Sequence, residues 1–229
     1  MALLPEPIDN GKLKTTWKFI PSLQLGGDAF GYQWLNDDAF AIYLLDVSGH
    51  GVGSALHSIS VLNVLKNESL PNTNFMEPDH VIKSMYKYFK MNEYNELFFS
   101  IWYGVYHPTS GNLIYSSAGH HPALLFYDNC QPERLFTHNL IIGIGEEDKV
   151  IKNSINIKRN SELYLFSDGA FEILIQDGTF WSFDDIEDFI IKNRSDEFND
   201  IGSIYSHVHD LRGCEILDDD FSFLKVRFL

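Results

Sequence analysis

Apolar positions recur along this chain with two different periods. Runs of about strand length, bounded by turn residues, cover 15–20, 31–34, 39–47, 98–106, 112–117, 123–127, 163–166 and 221–228. Each predicts a β-strand. Asn36-Asp37-Asp38 and His107-Pro108-Thr109-Ser110-Gly111 separate neighbouring runs and predict hairpin turns. After Gly53 the period lengthens. Ala55, Leu56, Ile59, Leu62 and Leu65 recur at helical spacing, and Val81, Ile82, Met85, Tyr86 and Phe89 do the same. Ile186, Phe189 and Ile190 predict a third helix; Ile201, Ile204, Tyr205, Val208 and Leu211 predict a fourth. Strands joined as hairpins, with helices in two groups, favour an antiparallel α+β layered fold over a βαβ alternation. Residues 1–14 are polar with two prolines and read as a tail or linker, which leaves 15–229 as the folded domain.

Charge narrows the function classes. With 17 basic and 32 acidic residues the chain carries −15, so nucleic acid and anionic membrane surfaces would repel it. Cys130 and Cys214 match no metal-ligand spacing and form no disulfide framework, which points to a reducing, cytoplasmic compartment. Met1-Ala2-Leu3-Leu4-Pro5 lacks the basic region and apolar core of a signal peptide. No apolar run approaches the roughly 18 residues of a membrane span.

The candidate chemistry lies where apolar runs end in acids. Ala41 to Leu45 runs into Asp46-Val47-Ser48-Gly49-His50-Gly51, a strand followed by a glycine-rich turn and a helix start. Leu163 to Ser167 runs into Asp168-Gly169, Gly26-Gly27 precedes Asp28, and Asp219-Asp220 precedes the last strand. Carboxylates at strand ends sit on a rigid frame and can face one crevice. Gathering them without cations is costly, because like charges raise one another's pKa. All-oxygen ligation of Mg²⁺ or Mn²⁺ relieves that cost. A single Asp-Gly is an ordinary turn former; the ordered set is not ordinary. Competing motifs fail. Gly49, Gly51 and Gly53 do not complete a dinucleotide-binding fingerprint, because its third glycine falls at Ser54. No G-x-S-x-G elbow is present. His207 and His209 lie two residues apart on a predicted helix and read as solvated.

Gly26-Gly27-Asp28, Asp46-Val47-Ser48-Gly49-His50-Gly51, Ala118-Gly119-His120, Ser167-Asp168-Gly169 and Asp219-Asp220-Phe221-Ser222, in that order, resemble the metal-dependent protein phosphatase superfamily (protein phosphatase 2C-like). Within it they resemble the bacterial branch of the stage II sporulation phosphatase and the sigma-factor regulators. The resemblance implies two antiparallel β-sheets packed as a sandwich flanked by helices (α-β-β-α). It implies removal of phosphate from phosphoserine or phosphothreonine by metal-activated hydroxide, with no phospho-enzyme. It implies two Mn²⁺ or Mg²⁺ ions, with Asp46 bridging them, the Val47 carbonyl on one, and Asp168 and Asp219 on the other. Asp28 lies close by, and Asp220 is the alternative to Asp219. Eukaryotic members place a histidine where Ser48 stands here, so His50 is the candidate proton donor. Their early phosphate-binding arginine has no match before Gly26. The expected substrate is a phosphorylated regulator such as an anti-sigma-factor antagonist. An upstream sensor or receiver domain and a homodimer through the helices after the glycine turn are also implied. The competing class is a catalytically silent binding module on the same fold.

Overall fold

The computed structural model describes residues 4–22, 26–90, 97–127, 131–145, 149–175, 178–194, 200–213 and 219–229. Cys130 and Cys214 lie outside the described residues, as does part of the turn expected at 128–132. Two five-stranded sheets stack face to face. One runs β1 (Leu13–Ile20), β12 (Phe221–Phe228), β9 (Glu162–Phe166), β6 (Ala123–Phe126), β7 (Glu133–Leu135). The other runs β2 (Ala29–Asn36), β3 (Ala39–Val47), β4 (Phe99–His107), β5 (Asn112–Ala118), β8 (Asn153–Asn156). Every neighbouring pair in both sheets is antiparallel. Helices α1 (Val52–Lys66) and α2 (Pro78–Tyr88) cover the second sheet; α3 (Phe183–Asn193) and α4 (Ile201–Arg212) cover the first. The layers are α-β-β-α, as expected.

Strand periodicity explains both the core and the site. Along β3, Phe40, Ile42 and Leu44 enter the layer between the sheets, while Ala41, Tyr43, Leu45 and Val47 enter the layer under α1 and α2. Both faces are buried, so the strand reads as one unbroken apolar run. The same alternation sends Phe30 and Tyr32 of β2, and Leu224 and Val226 of β12, into the inter-sheet layer. Continued outward, it gives Asp28, Asp46, Asp220 and Ser222 inter-sheet parity at one end of the sandwich. The acids therefore converge where the two sheets part.

Two expectations meet a different structure. The division at residue 14 falls inside β1: Leu13 is buried and pairs with Phe228, and Leu4 and Ile8 pack against the inter-sheet core. Ile8 N–H donates to the Thr15 hydroxyl at 2.7 Å, which ties this segment to the strand. On α1 the buried stripe is Ser54, Ala55, Ser58, Val61, Leu62 and Leu65, while Leu56 is exposed. Small residues face the sheet there because the first turn approaches it closely. Among the described residues no helix is long and apolar enough to cross a membrane.

Candidate active site

A cleft of about 470 Å³ opens at the end of the sandwich where the acids gather. Asp46, Asp168 and Asp219 line it together with Val47, His50 and Glu172. Asp46 is the penultimate residue of β3 and stands opposite Ser100 of β4. After it the chain turns sharply through Gly49 at φ 76° and Gly51 at φ 92°, positions that suit glycine. Ser48 clamps this turn: its N–H donates to Phe98 O at 2.8 Å, and its hydroxyl accepts from Phe98 N at 3.1 Å. Asp168 opens a 3-10 turn, Asp168–Ala170, directly after β9. That turn carries Glu172 round to the cleft, with Glu172 N donating to Asp168 O at 2.7 Å.

Adjacent acids divide the work at the start of β12. Asp219 is exposed to the cleft. Asp220 is buried, and its carboxylate accepts from Ser22 N at 2.8 Å, Ser22 Oγ at 3.0 Å and Asp28 N at 3.3 Å. Its carbonyl accepts from Ser167 Oγ at 2.9 Å. Asp220 is thus the knot that ties the Gly26-Gly27-Asp28 loop to β12. A Cβ on Gly26 would lie 2.3 Å from the Asp220 carboxylate, and one on Gly169 2.2 Å from its carbonyl. A Cβ on Gly27 would meet the Val47 carbonyl at 2.8 Å. These glycines allow the approach that brings Asp28 behind Asp46.

The electrostatics show the strain of that gathering. Burial pushes the Asp46 carboxyl up to about 8, and Asp168, Asp219 and Asp220 push the same way. Burial, then repulsion from Asp219 and Glu172, takes Asp168 to about 6. Asp28 rises well above the usual carboxylate range, from burial first and then Asp46 and Asp220. Burial also raises Asp219, against the hydrogen bond from Asp220 N and the nearby charge of His50 and Arg212. Among the described residues Asp28 Oδ2 is buried without a hydrogen-bond partner, an expensive state for a carboxylate oxygen. Among the described residues no lysine or arginine lines the cleft.

This donor set fits hard divalent cations: several oxygens, unneutralised charge and an unsatisfied buried carboxylate. Among the described residues no three His, Cys, Asp or Glu side chains already close round one point as a cage.

The histidines separate by environment. His50 is exposed at the cleft edge. His120 is buried, its Nδ1 within 2.9 Å of the His121 carbonyl, which makes Nδ1 the protonated nitrogen; burial lowers its pKa to about 4. His121 is neutral too, packed among Phe166, Phe171 and Phe183. His207, expected to be solvated, instead stacks on Phe189 with ring centroids 4.1 Å apart. Helical spacing separates it from His209, but α3 supplies the ring that covers it.

The sequence profile of the family described as stage II sporulation protein E (SpoIIE) matches residues 36–229. The chain belongs to the SpoIIE family. Among curated SpoIIE-like relatives it is 27% identical over 173 residues to phosphoserine phosphatase RsbP of Bacillus subtilis (strain 168), covering 74% of this chain and 42% of RsbP. It is 25% identical over 217 residues to phosphoserine phosphatase RsbU of the same organism, covering 91% of this chain and 61% of RsbU. The chain therefore spans less than two thirds of either relative. The solved SiaA-PP2C domain of Pseudomonas aeruginosa superposes with a TM-score of 0.81 at 16% identity, over 94% of this chain and 86% of that one. That likeness establishes a shared fold.

Sequence reasoning missed Glu172 and Ser22. Neither follows an apolar run, and only the 3-10 turn and the Asp220 knot bring them to the site.

Proposed function

We propose that this chain is a metal-dependent serine/threonine phosphoprotein phosphatase domain of a signalling protein. The observation that carries the reading is the convergence of Asp28, Asp46, Asp168 and Asp219 from four separate segments on one cleft end, with Asp28 Oδ2 buried and unpartnered. Two Mn²⁺ or Mg²⁺ ions would be held by Asp46, the Val47 carbonyl, Asp168 and Asp219, with Asp28 supporting Asp46 from behind. Bound there, such ions acidify a water and neutralise charge on a phosphoryl group.

The chain's own residues do the rest. Asp46 and Asp168 orient the attacking water. The first turn of α1, whose N-cap Gly51 offers no side-chain cap, presents N–H groups toward the phosphoryl oxygens. His50 donates the proton to the departing serine oxygen. Among the described residues no lysine or arginine lines the cleft, so these N–H groups and the metals are what would hold the phosphate. The relatives' name, phosphoserine phosphatase, supports a phosphorylated regulatory protein as substrate, such as an anti-sigma-factor antagonist. A homodimer through α1 and α2 is part of the same proposal, supported by exposed Val52, Leu56 and Tyr88.

The test is phosphate release from a phosphoserine peptide in Mn²⁺, in EDTA, and with Asp46→Asn and Asp168→Asn. Turnover that needs the metal and both acids is expected. A folded wild type that binds Mn²⁺ yet releases no phosphate would favour the silent binding module.

A further inference from the structure

The strands β10 (Ile173–Leu174) and β11 (Phe180–Trp181) form a small separate hairpin that follows the Asp168 turn. Its two faces differ. Ile173 pairs with Trp181 on the inner face; Ile173 is buried, and Trp181 packs against Phe189 of α3 and His207 of α4. Leu174 pairs with Phe180 on the outer face, and these are 65% and 59% exposed. Single exposed apolar side chains need no explanation, but two set side by side on an anchored plate form a patch. Leu174 is two residues from Glu172, which lines the cleft. Two residues of extended chain span at most about 7 Å, and the residues two or three positions from one seated in the cleft reach that far along an extended peptide.

We infer that the Leu174–Phe180 face of this hairpin is the docking surface for apolar residues flanking the phosphoserine of a protein substrate. The inference rests on the phosphatase reading and specifies its substrate class. Continuity with the cleft selects the occupant, since a substrate whose phosphoserine enters the cleft extends across its edge. Charge selects its chemistry. Among the described residues no lysine or arginine lines the cleft, and Glu172, which lines it, directly precedes the hairpin, so acidic flanks are repelled. The hairpin offers hydrocarbon.

The test uses the full chain in Mn²⁺ with phosphoserine decapeptides whose flanking positions are Leu and Val, Ser, Lys or Glu. An aryl phosphate serves as the substrate without flanks. Wild type is expected to favour the apolar-flanked peptide over the Ser-flanked one by roughly tenfold in kcat/KM. The double variant Leu174→Ser/Phe180→Ser is expected to cut that preference to about twofold or less, with aryl phosphate turnover unchanged. Both side chains are exposed, so the variant folds; a thermal melt checks it. A wild type without the preference, one that favours the Lys-flanked peptide, or a double variant that keeps the apolar preference overturns the docking surface while the phosphatase reading stands. A wild type that turns over none of the substrates overturns both.

Discussion

Asp219 and Asp220 share a peptide bond and face different surroundings. Asp219 meets water in the cleft, whereas Asp220 accepts three hydrogen bonds from Ser22 and Asp28. Substitution should separate them. Asp220→Asn removes charge-assisted acceptance and should cost the metal-free protein about 1–3 kcal/mol in urea unfolding. Asp219→Asn should leave that stability nearly unchanged and weaken Mn²⁺ binding about 10–100-fold by titration calorimetry. The reverse assignment would exchange the two results. Gly169→Ala tests the same knot from the other side: its Cβ would sit 2.2 Å from the Asp220 carbonyl. Backbone that close cannot give way, so about 1–3 kcal/mol of stability should be lost. At this scale the sequence made the strand-end acids legible, because an apolar run stopping at Asp is a local signal. It did not divide Asp219 from Asp220, because the division depends on Ser22, which is remote in the chain.

The helices and long strands were legible for one physical reason: burial against a neighbouring layer imposes a period on the residues. Short elements lacked that signature. β7, β8, β10 and β11 span two to four residues each and were not predicted; they are held by neighbours rather than by their own pattern. α1 was placed correctly with part of its face wrong, since Ser54 and Ser58 are buried while Leu56 is exposed. α4 hides a further feature that periodicity cannot show. Lys225 of β12, fully buried, holds Asp200, the residue before α4, at 3.0 Å, and Glu162 of β9 at 3.1 Å. Tyr164 also donates to Asp200. This ionic cluster pins the start of α4 to the sheet. Lys225→Met keeps the stem's volume but leaves buried Asp200 without this cation, while Glu162 keeps Arg227, whose Nε donates to it at 2.8 Å. It should cost about 3–5 kcal/mol in urea unfolding, with hydrogen exchange rising first in α4. A loss under about 1 kcal/mol would mean the cluster is well hydrated and does not dock the helix.

For the whole molecule, a metal-free fold that gathers acids must resist rising pH. Asp46 titrates near 8 and Asp168 near 6 in the folded state, both raised from the ordinary 3.8. A raised pKa means the folded state binds more protons than the unfolded chain. The stability this contributes is complete below about pH 4 and is lost as pH climbs through the folded values. Two imidazoles, of buried His120 and half-buried His121, act in the opposite sense. His120 and His121 stay neutral when folded, against an ordinary value of 6.5, so acid below that point favours unfolding. The unfolded imidazoles lose their remaining protons over the pH unit above 6.5, so this opposing contribution fades there and the carboxyls come to set the slope. In EDTA, stability should therefore fall between pH 6.5 and 8 by roughly 1–2 kcal/mol, at about 1.4 kcal/mol per proton per pH unit. The −15 net charge adds repulsion in the same direction. Millimolar Mn²⁺ should flatten the decline, since cations bound only by the folded state stabilise it by mass action, and Asp46→Asn should flatten it without metal. Thermal melts at pH 6.5 and 8, with EDTA or Mn²⁺, read all three effects. A metal-free melting temperature that held steady or rose over this interval would mean the carboxylates ionise at no cost, and so do not share one dry end of the sandwich.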